Sequence, residues 1–263
     1  MPPVGCDVRK LIVDGYPMQN VIASDLRQGG CTLLLDCVRL ISIFEEFWNL
    51  GHDLFKSSPE KFPVPFIAGD VFDPSHLQSV PPFYEQPISA APALSSLISL
   101  TPLHGHVSII HASSFFHLFD EEKQLLAAQT LASLMSPLPG SLMLGTHVAL
   151  PEKGMKTELF GQQSSMFCHS PNNWREMWDG QVFKKGTVNV QANLVRVEHD
   201  LPGSSHLMSW SVTRIQVSRL FFTLIHHMYS DTFYNKTCTK QRPQHQSKIW
   251  RYIQNDTCAW VKG

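Results

Sequence analysis

Two aspartates, each at the end of a short apolar run, are the residues of this sequence best placed to bind a ligand. The runs are Val21-Ile22-Ala23-Ser24-Asp25 and Pro65-Phe66-Ile67-Ala68-Gly69-Asp70, and a third run, 107–112, ends in His111-Ala112. Such runs are typical of buried parallel strands, and a carboxylate at the carboxyl end of a strand faces the crevice where open α/β sheets bind ligands. The pattern favours a nucleotide-like cofactor.

Composition limits the class of protein. The 263 residues are 43% hydrophobic and 16% charged, which is enough to bury one sizeable core. The net charge of −1 and the lack of a basic stripe argue against nucleic acid as a partner. The sequence shows no signal peptide and no run near the ~20 apolar residues that span a bilayer, so we predict a cytoplasmic protein with no stable membrane insertion. Six cysteines without a CxxC pair give little support to a disulfide framework, and we predict no metal site.

Helix and strand patterns alternate along the chain. The periodicity and the stop signals predict a short helix over 7–14, strands ending at Asp25, Asp70 and Ala112, a helix over 120–135, a strand over 141–148 and a helix over 171–178. Residues 74–106, rich in Pro, Ser and Leu, predict a loop region with one short helix near 93–100. Two alternating runs, 187–197 and 206–215, predict an antiparallel pair of strands at a sheet edge.

This order of segments resembles that of a class I S-adenosylmethionine-dependent methyltransferase, in particular the fungal methyltransferases of meroterpenoid and related secondary-metabolite pathways. The resemblance covers roughly 5–28 and 47–215, with gaps. It is carried by these segments: Gly5-Cys6-Asp7-Val8-Arg9-Lys10-Leu11, Ala23-Ser24-Asp25-Leu26-Arg27, Leu50-Gly51-His52-Asp53-Leu54-Phe55, Ile67-Ala68-Gly69-Asp70-Val71-Phe72-Asp73, 111–120, Pro139-Gly140-Ser141, Met166-Phe167-Cys168-His169-Ser170-Pro171 and 208–214.

The resemblance implies an α/β fold with a Rossmann-like methyltransferase sheet that ends in an antiparallel strand pair. The first strand and most of the glycine-rich loop of the family are missing, and only the last glycine of that loop, Gly5, remains. We expect a methyltransferase domain over 1–215, an insertion at 29–46, and a C-terminal extension of unknown role over 216–263. We interpret the missing strand, the insertion and the extension as errors of the gene model.

The resemblance also implies S-adenosyl-L-methionine as cofactor and a small-molecule acceptor as substrate. Asp25, which lies 25 − 5 = 20 residues after Gly5, is expected to bind the ribose with Leu26 beside it. Asp70 is expected to bind the adenine amino group, with Val71, Phe72 and Ala112 as neighbours of the cofactor. Both aspartates also fit ordinary turn or cap positions.

Methyl transfer needs mainly positioning, but a hydroxyl acceptor also needs a base, whereas a carboxylate acceptor does not. Four histidines have a suitable intrinsic pKa, and we predict that His117 and His111 are catalytic, with His147 and His169 as further candidates. A hydrogen-bonded wall histidine is the alternative interpretation of His117. Several aromatic residues are candidates for an apolar acceptor pocket or for ordinary core packing: Phe115, Phe116, Phe167, Trp174 and Trp178.

Three classes of function are compatible with the sequence. The first is an active methyltransferase for a hydroxyl or carboxyl oxygen of a secondary metabolite such as a meroterpenoid. The second is a catalytically degenerate binding or scaffold protein of the same fold. The third is an NAD(P)-dependent oxidoreductase, against which the terminal antiparallel pair and Asp70-Val71-Phe72 argue. The sequence is also compatible with a homodimer.

Overall fold

A computed structural model describes residues 17–26, 52–53, 56–159, 162–197, 205–216 and 257–262 of the chain. Of these, residues 25–26, 158–159, 162–164, 205 and 257–262 are described by their backbone alone. Gly5, the predicted helix over 7–14 and the insertion 29–46 lie outside the described residues. The described part is a mixed α/β structure with parallel strands in its larger sheet.

Nine strands, two α-helices and four short 3₁₀ turns have all their residues described, and His52 and Asp53 are also helical. The strands are β1 Val21–Leu26, β2 Phe66–Gly69, β3 Val107–Ser113, β4 Leu142–Ala149, β5 Gly154–Leu159, β6 Gln162–Cys168, β7 Val188–Val197, β8 Ser205–Arg214 and β9 Thr257–Lys262. The helices are α1 Glu121–Leu134 and α2 Pro171–Trp178.

Seven of these strands form one sheet in the order β2-β1-β9-β3-β4-β8-β7. The five strands from β2 to β4 run parallel to one another, whereas β8 is antiparallel to both β4 and β7. The predicted strands at Asp25, Asp70, Ala112 and 141–148 and the predicted antiparallel pair are therefore confirmed to within a few residues. β5 and β6 form a separate antiparallel hairpin, in the segment between the predicted strand over 141–148 and the predicted helix over 171–178.

The centre of the sheet is occupied by β9, which lies beyond the predicted end of the domain at 215. It pairs in parallel with β1 from Val21↔Cys258 to Asp25↔Lys262, and with β3 as far as Ser113↔Lys262. The four residues 258–261 form a continuous apolar run, Cys-Ala-Trp-Val, which is the pattern of a strand buried on both faces. The C-terminal segment thus supplies the ladder partner that both β1 and β3 need.

The short helix predicted near 93–100 is reduced to a single 3₁₀ turn, Leu94–Ser96. Leu97 is extended, and the next 3₁₀ turn, Thr101–Leu103, begins after the predicted helix. The N–H of Leu100 donates to the carbonyl oxygen of His76 instead of to a helical partner. Leu94 and Leu100 are buried, whereas Ile98 is 93% exposed, so only part of the apolar surface of the segment packs against the core.

Helix α1 begins where the sequence predicts, because Asp120 caps it. The Asp120 carboxylate accepts a hydrogen bond from the N–H of Lys123 (2.8 Å), and Glu121 and Glu122 occupy the positive end of the helix. The buried side chain of Gln124 donates to the carbonyl oxygens of Phe119 (2.8 Å) and Phe167 (3.0 Å). This one amide joins α1 to the loop after β3 and to β6.

Arg214, buried at the end of β8, attaches the proline-rich loop to the sheet. Its guanidinium carbon lies 4.9 Å from the ring centre of Tyr84 and 4.6 Å from that of Phe183. It also donates a hydrogen bond to the carbonyl oxygen of Phe83. Burial lowers the pKa of the guanidinium, while Tyr84 opposes this shift. Cation–π contacts of a desolvated guanidinium contribute on the order of 2 kcal/mol.

We expect Ala259→Pro to destabilise the protein strongly, because proline removes a ladder N–H from the central strand and leaves its partner carbonyl unpaired. A buried unpaired group costs about 1–3 kcal/mol, and the ring adds a steric conflict. Urea unfolding monitored by circular dichroism measures the change. Ala259→Ser, which keeps the N–H, is the matched control; equal stability of the two variants would show that β9 does not form the centre of the sheet.

Candidate functional site

The two aspartates singled out in the sequence lie at one edge of the sheet. Asp25 is at the carboxyl end of β1, in register with Ala68 of β2 and Lys262 of β9. Asp70 directly follows β2, and Leu26 pairs with Gly69. The carboxyl ends of β1, β2, β9 and β3 therefore meet where ligands bind in open α/β sheets. This edge is the candidate cofactor site.

Asp70 shapes the turn that follows β2. One of its carboxylate oxygens accepts a hydrogen bond from the N–H of Phe72 (2.9 Å), and its carbonyl oxygen accepts one from the N–H of Asp73 (3.0 Å). Val71 is buried, and the half-buried ring of Phe72 packs edge-on against Phe119 with 5.1 Å between ring centres. The turn thus presents a carboxylate beside an apolar wall.

His76, a residue that no sequence motif marks, contacts β1 next to this edge. Its Nε2 lies 3.2 Å from the hydroxyl oxygen of Ser24 on β1, and that hydroxyl donates to the carbonyl oxygen of Ile67 on β2 (2.7 Å). Because the Ser24 hydroxyl proton is already donated to Ile67, the His76 Nε2 must carry a proton of its own, which it donates to the Ser24 oxygen. Burial lowers the His76 pKa, against the opposing effects of Asp73 and Asp70. No local pattern marks this residue, because its partner Ser24 lies 52 residues away in the sequence.

The structure separates the two histidines predicted to be catalytic. His111 of β3 is in register with Leu144 of β4. Because side chains alternate along a strand, His111 shares a face of the sheet with Leu144 and Thr146, whereas His147 lies on the opposite face. On its own face, the His111 Nε2 lies 3.0 Å from the Ser113 hydroxyl. His117 lies in the 3₁₀ turn Phe116–Leu118, and its ring centre is 6.4 Å from that of His147. His117 therefore joins the opposite face.

On that face a group of rings, all buried except the half-buried His117, comes together from five segments and is here called the histidine–tryptophan cluster. Its members are Phe116, His117, His147, His169, Trp174, Trp178 and Trp210. Trp174 lies at the centre, with its ring 4.7 Å from His147, 5.2 Å from His169 and 5.1 Å from Trp210. It is held there by α2, whose first turn Ser170 caps by accepting from the N–H of Asn173 (3.3 Å).

Hydrogen-bond partners assign the tautomers of two histidines in the cluster. The indole N–H of Trp210 donates to His147 Nδ1 (3.1 Å), so the proton of a neutral His147 is on Nε2. The Nδ1 of His169 faces the side-chain oxygen of Asn173, so this nitrogen carries the proton and Nε2 has a lone pair. Neither Nε2 has a partner within the described chain, nor do His117 Nδ1 and the indole nitrogens of Trp174 and Trp178.

Burial keeps these histidines neutral. It lowers the pKa of His117 and His169, the latter against the effects of Asn173 and Glu121. The pKa of His147 falls well below its usual range, first because of burial and then because of its neighbours His117 and His169. Beside the cluster, burial also raises the pKa of the Cys168 thiol to about 11. All four groups are therefore uncharged near neutral pH.

No group of three or more His, Cys, Asp or Glu side chains in the described part of the chain is arranged to hold a metal ion. No helix within the same residues has the length and apolar character needed to cross a membrane.

Comparison with curated proteins gives a consistent result, although no protein-family model matches the chain. "O-methyltransferase phiE" from Fungal sp. (strain ATCC 74256) is 28% identical over 184 residues, which are 70% of this chain and 48% of that protein. "Asnovolin E/Chermesin D methyltransferase nvfJ" from Aspergillus novofumigatus is 28% identical over 80% of this chain and 62% of that protein. "Methyltransferase ausD" from Penicillium brasilianum is 26% identical over 80% and 63%, respectively. The chain is similar to fungal-type secondary-metabolite methyltransferases.

This similarity confirms the resemblance stated from the sequence. The aligned part of the chain spans about half to two thirds of these methyltransferases. Among solved structures, a chain from "Conversion of a Disulfide Bond into a Thioacetal Group during Echinomycin Biosynthesis" covers 87% of this chain and 88% of its own at 12% identity. Its TM-score of 0.37 is too low to define a common fold.

We expect Gly69→Ala to destabilise the cofactor edge, because the added methyl group would overlap the His76 ring. Overpacking of this kind costs about 1–3 kcal/mol. Gly154→Ala is the matched control, since nothing lies within 4 Å of a β-carbon there. Urea unfolding of both variants measures the change in the free energy of unfolding, and a second substitution, His76→Ala, should restore part of the loss. Equal stability of the two glycine variants would contradict the described packing.

The free energy of unfolding should fall as the pH decreases below about 6.5, the pKa of an unfolded histidine. His117, His147 and His169 have lowered pKa values when folded, so the unfolded chain binds more protons in this range. Each such histidine contributes a slope of up to about 1.4 kcal/mol per pH unit, and the contribution is fully present above the unfolded pKa. Urea titrations between about pH 5.5 and 7.5 test this. His147→Gln should flatten the slope, whereas an unchanged slope would exclude His147 as a contributor.

Proposed function

We propose that this chain binds S-adenosyl-L-methionine and transfers its methyl group to an oxygen of a small-molecule secondary metabolite, of which a meroterpenoid is the expected class. The observation that carries the proposal is the placement of Asp25 and Asp70 at the carboxyl ends of adjacent parallel strands. The similarity to fungal methyltransferases supports the reaction class, since a methyltransferase needs a methyl donor.

The strand order supports a class I methyltransferase sheet. In that family the first strand lies in mid-sheet, between the strands that here end at Asp25 and Ala112, and an antiparallel pair closes one edge. Here β9 lies between β1 and β3, and β8 and β7 form the antiparallel edge. The parallel strands of this sheet therefore match the parallel strands of the family sheet in position. The strand in the place of the family's first strand is β9, which comes from the C-terminal segment.

The cofactor roles follow from this placement. Asp25 would accept hydrogen bonds from the ribose hydroxyls, with Leu26 beside it at the same edge. Asp70 would accept a hydrogen bond from the adenine amino group, because only one of its carboxylate oxygens is used by the Phe72 N–H among the described residues. Val71, Phe72 and Ala112 would supply apolar contacts, and Gly5 would belong to the loop around the methionine end.

When bound, this cofactor supplies a methyl group already activated on a sulfonium. The protein then has to position an acceptor oxygen in line with it and exclude water. The histidine–tryptophan cluster suits this task, because it follows the carboxyl ends of β3 and β4 and offers buried aromatic surface with a few polar atoms. His117 belongs to this cluster, whereas His111 is held by Ser113 on the other face of the sheet.

Calorimetric titration of the full chain with S-adenosylhomocysteine tests the cofactor site. Asp70→Asn should weaken binding about tenfold, because it loses a charge-assisted hydrogen bond while an amide oxygen can still cap the turn. Asp73→Asn is the matched control, since Asp73 makes the same kind of turn with Ser75 (2.8 Å) and should change affinity less than about twofold. Asp25→Ala should weaken binding further, because two ribose hydrogen bonds depend on it.

The outcomes separate the functional classes. Micromolar binding of S-adenosylhomocysteine that Asp25→Ala abolishes supports the proposal. Binding without methyl transfer to any acceptor would indicate a scaffold protein of the same fold. Binding of NAD⁺ in preference to S-adenosylhomocysteine would indicate an oxidoreductase, and a folded protein that binds neither would refute the cofactor site.

A further inference from the structure

The proline-rich loop carries the sequence Pro81-Pro82-Phe83-Tyr84, here called the PPFY segment. Two adjacent prolines, any residue and then a tyrosine form a spacing that WW modules bind in a groove lined by aromatic side chains. No two prolines of the loop 74–106 are three residues apart, so the loop lacks the PxxP pair that SH3 modules bind. The spacing therefore indicates a protein with a WW module as the partner.

The backbone of the PPFY segment suits this kind of recognition. The proline ring fixes φ of Pro81 and Pro82 at about −65°, and a residue that precedes a proline is directed to the β or polyproline II region, which applies to Val80 and Pro81. Residues 77–83 belong to no helix or strand. In a polyproline II helix, with about three residues per turn, Pro81 and Tyr84 face the same way.

The exposure of the side chains follows this three-residue spacing. Pro81 is exposed and Tyr84 is 38% exposed, whereas Pro82 and Phe83 between them are half-buried. The Phe83 ring packs against Gly105, where an added β-carbon would lie 3.1 Å from it. The protein thus holds the inner side of the segment and presents the side with the first proline and the tyrosine, which are the residues that a WW groove contacts.

Hydrogen bonds fix the chain before and within the PPFY segment. The N–H of Gln78 donates to the Thr101 hydroxyl (2.9 Å), and the carbonyl oxygen of Gln78 accepts from His104 Nε2 (2.8 Å). The carbonyl oxygen of Phe83 accepts from Arg214. A ligand segment that is already held in place loses less conformational freedom when it binds, so this loop is better prepared for a partner than a free peptide.

Two cations contact the ring of Tyr84. The buried Arg214 lies 4.9 Å from the ring centre, and the exposed Lys184 lies 4.4 Å from it. The backbone N–H of Lys184 also donates to the Tyr84 hydroxyl oxygen (2.7 Å), a bond that most other residues at 184 would keep. The Lys184 ammonium therefore covers ring surface that a partner needs, and it can move away into solvent.

We propose that the PPFY segment is a docking site for a WW module, with Pro81 and Tyr84 in the aromatic groove and Lys184 as a competing contact of the tyrosine ring. The site lies at the edge of the sheet opposite the cofactor edge, since Arg214 follows Thr213, which pairs with Leu142 at the amino end of β4. The proposal is therefore independent of the proposed function.

Calorimetric titration of the full chain with a purified WW module that binds Pro-Pro-x-Tyr peptides tests the docking site. Pro81→Ala should weaken binding at least about tenfold, because it removes a ring that enters the groove. Ile88→Ala, which truncates a fully exposed apolar side chain of the same loop, is the matched control and should change the affinity less than about twofold. Tyr84→Ala should weaken binding as much as Pro81→Ala, and circular dichroism verifies that each variant is folded.

Lys184→Ala should tighten binding about two- to fivefold, because it keeps the backbone N–H and removes the competing ammonium. Lys185→Ala is the matched control, since it removes the same charge from the next exposed position. A segment that only stabilises the fold would give no such gain. The affinity for S-adenosylhomocysteine should stay within about twofold when the module is bound, because the module binds at the opposite edge.

A folded chain that does not bind the module would overturn the proposal. Equal binding by Pro81→Ala and Ile88→Ala would also overturn it, because recognition would then not depend on the proline. A Lys184→Ala variant that binds no more tightly than Lys185→Ala would exclude the competing role of the ammonium. Failure of the chain to bind S-adenosylhomocysteine would refute the cofactor site and leave this docking site unaffected.

Discussion

The sheet depends on one constraint: the backbone groups of β1 and β3 that face each other must be paired. These strands lie too far apart to pair directly, and each presents a row of N–H and C=O groups toward the other. β9 satisfies both rows, with partners from Val21 to Asp25 on one side and from Val107 to Ser113 on the other. Since burying such groups unpaired costs about 1–3 kcal/mol each, the positions of Asp25 and Ser113 at one edge depend on this strand.

The two faces of the sheet carry different groups of side chains. On one face His111, Ser113 and Thr146 form a hydrogen-bonded group that fixes the spacing of β3 and β4. On the other face, Gly145 has no side chain, so the Ala112 carbonyl and the Trp210 ring can lie close to its backbone. Trp210 is part of the histidine–tryptophan cluster on this face. The alternation of side chains along a strand is thus what assigns neighbouring histidines to different environments.

The elements with a strong local signal could be predicted from the sequence. The cap at Asp120, the proline at the start of α2 and the alternation in β7 and β8 define their elements without any distant partner. The helix predicted near 93–100 is reduced to the 3₁₀ turn Leu94–Ser96, because the chain is extended again at Leu97. β9 was missed although 258–261 form an apolar run, because the sequence does not show that β1 and β3 take their common partner from so far along the chain. His76 and the tautomer of His147 could not be predicted, because their partners lie 52 and 63 residues away in the chain. The partner of His169, Asn173, is only four residues away, but no motif marks the pair.

The raised pKa of Cys168 has a consequence for chemical selectivity. A thiolate is a stronger nucleophile than a neutral hydroxyl, and one next to His169 would be an alternative target for any electrophilic methyl group bound nearby. With a pKa of about 11, this sulfur stays protonated at neutral pH and is weakly reactive. The apolar surroundings that bury the cysteine therefore keep its sulfur a weak nucleophile at neutral pH.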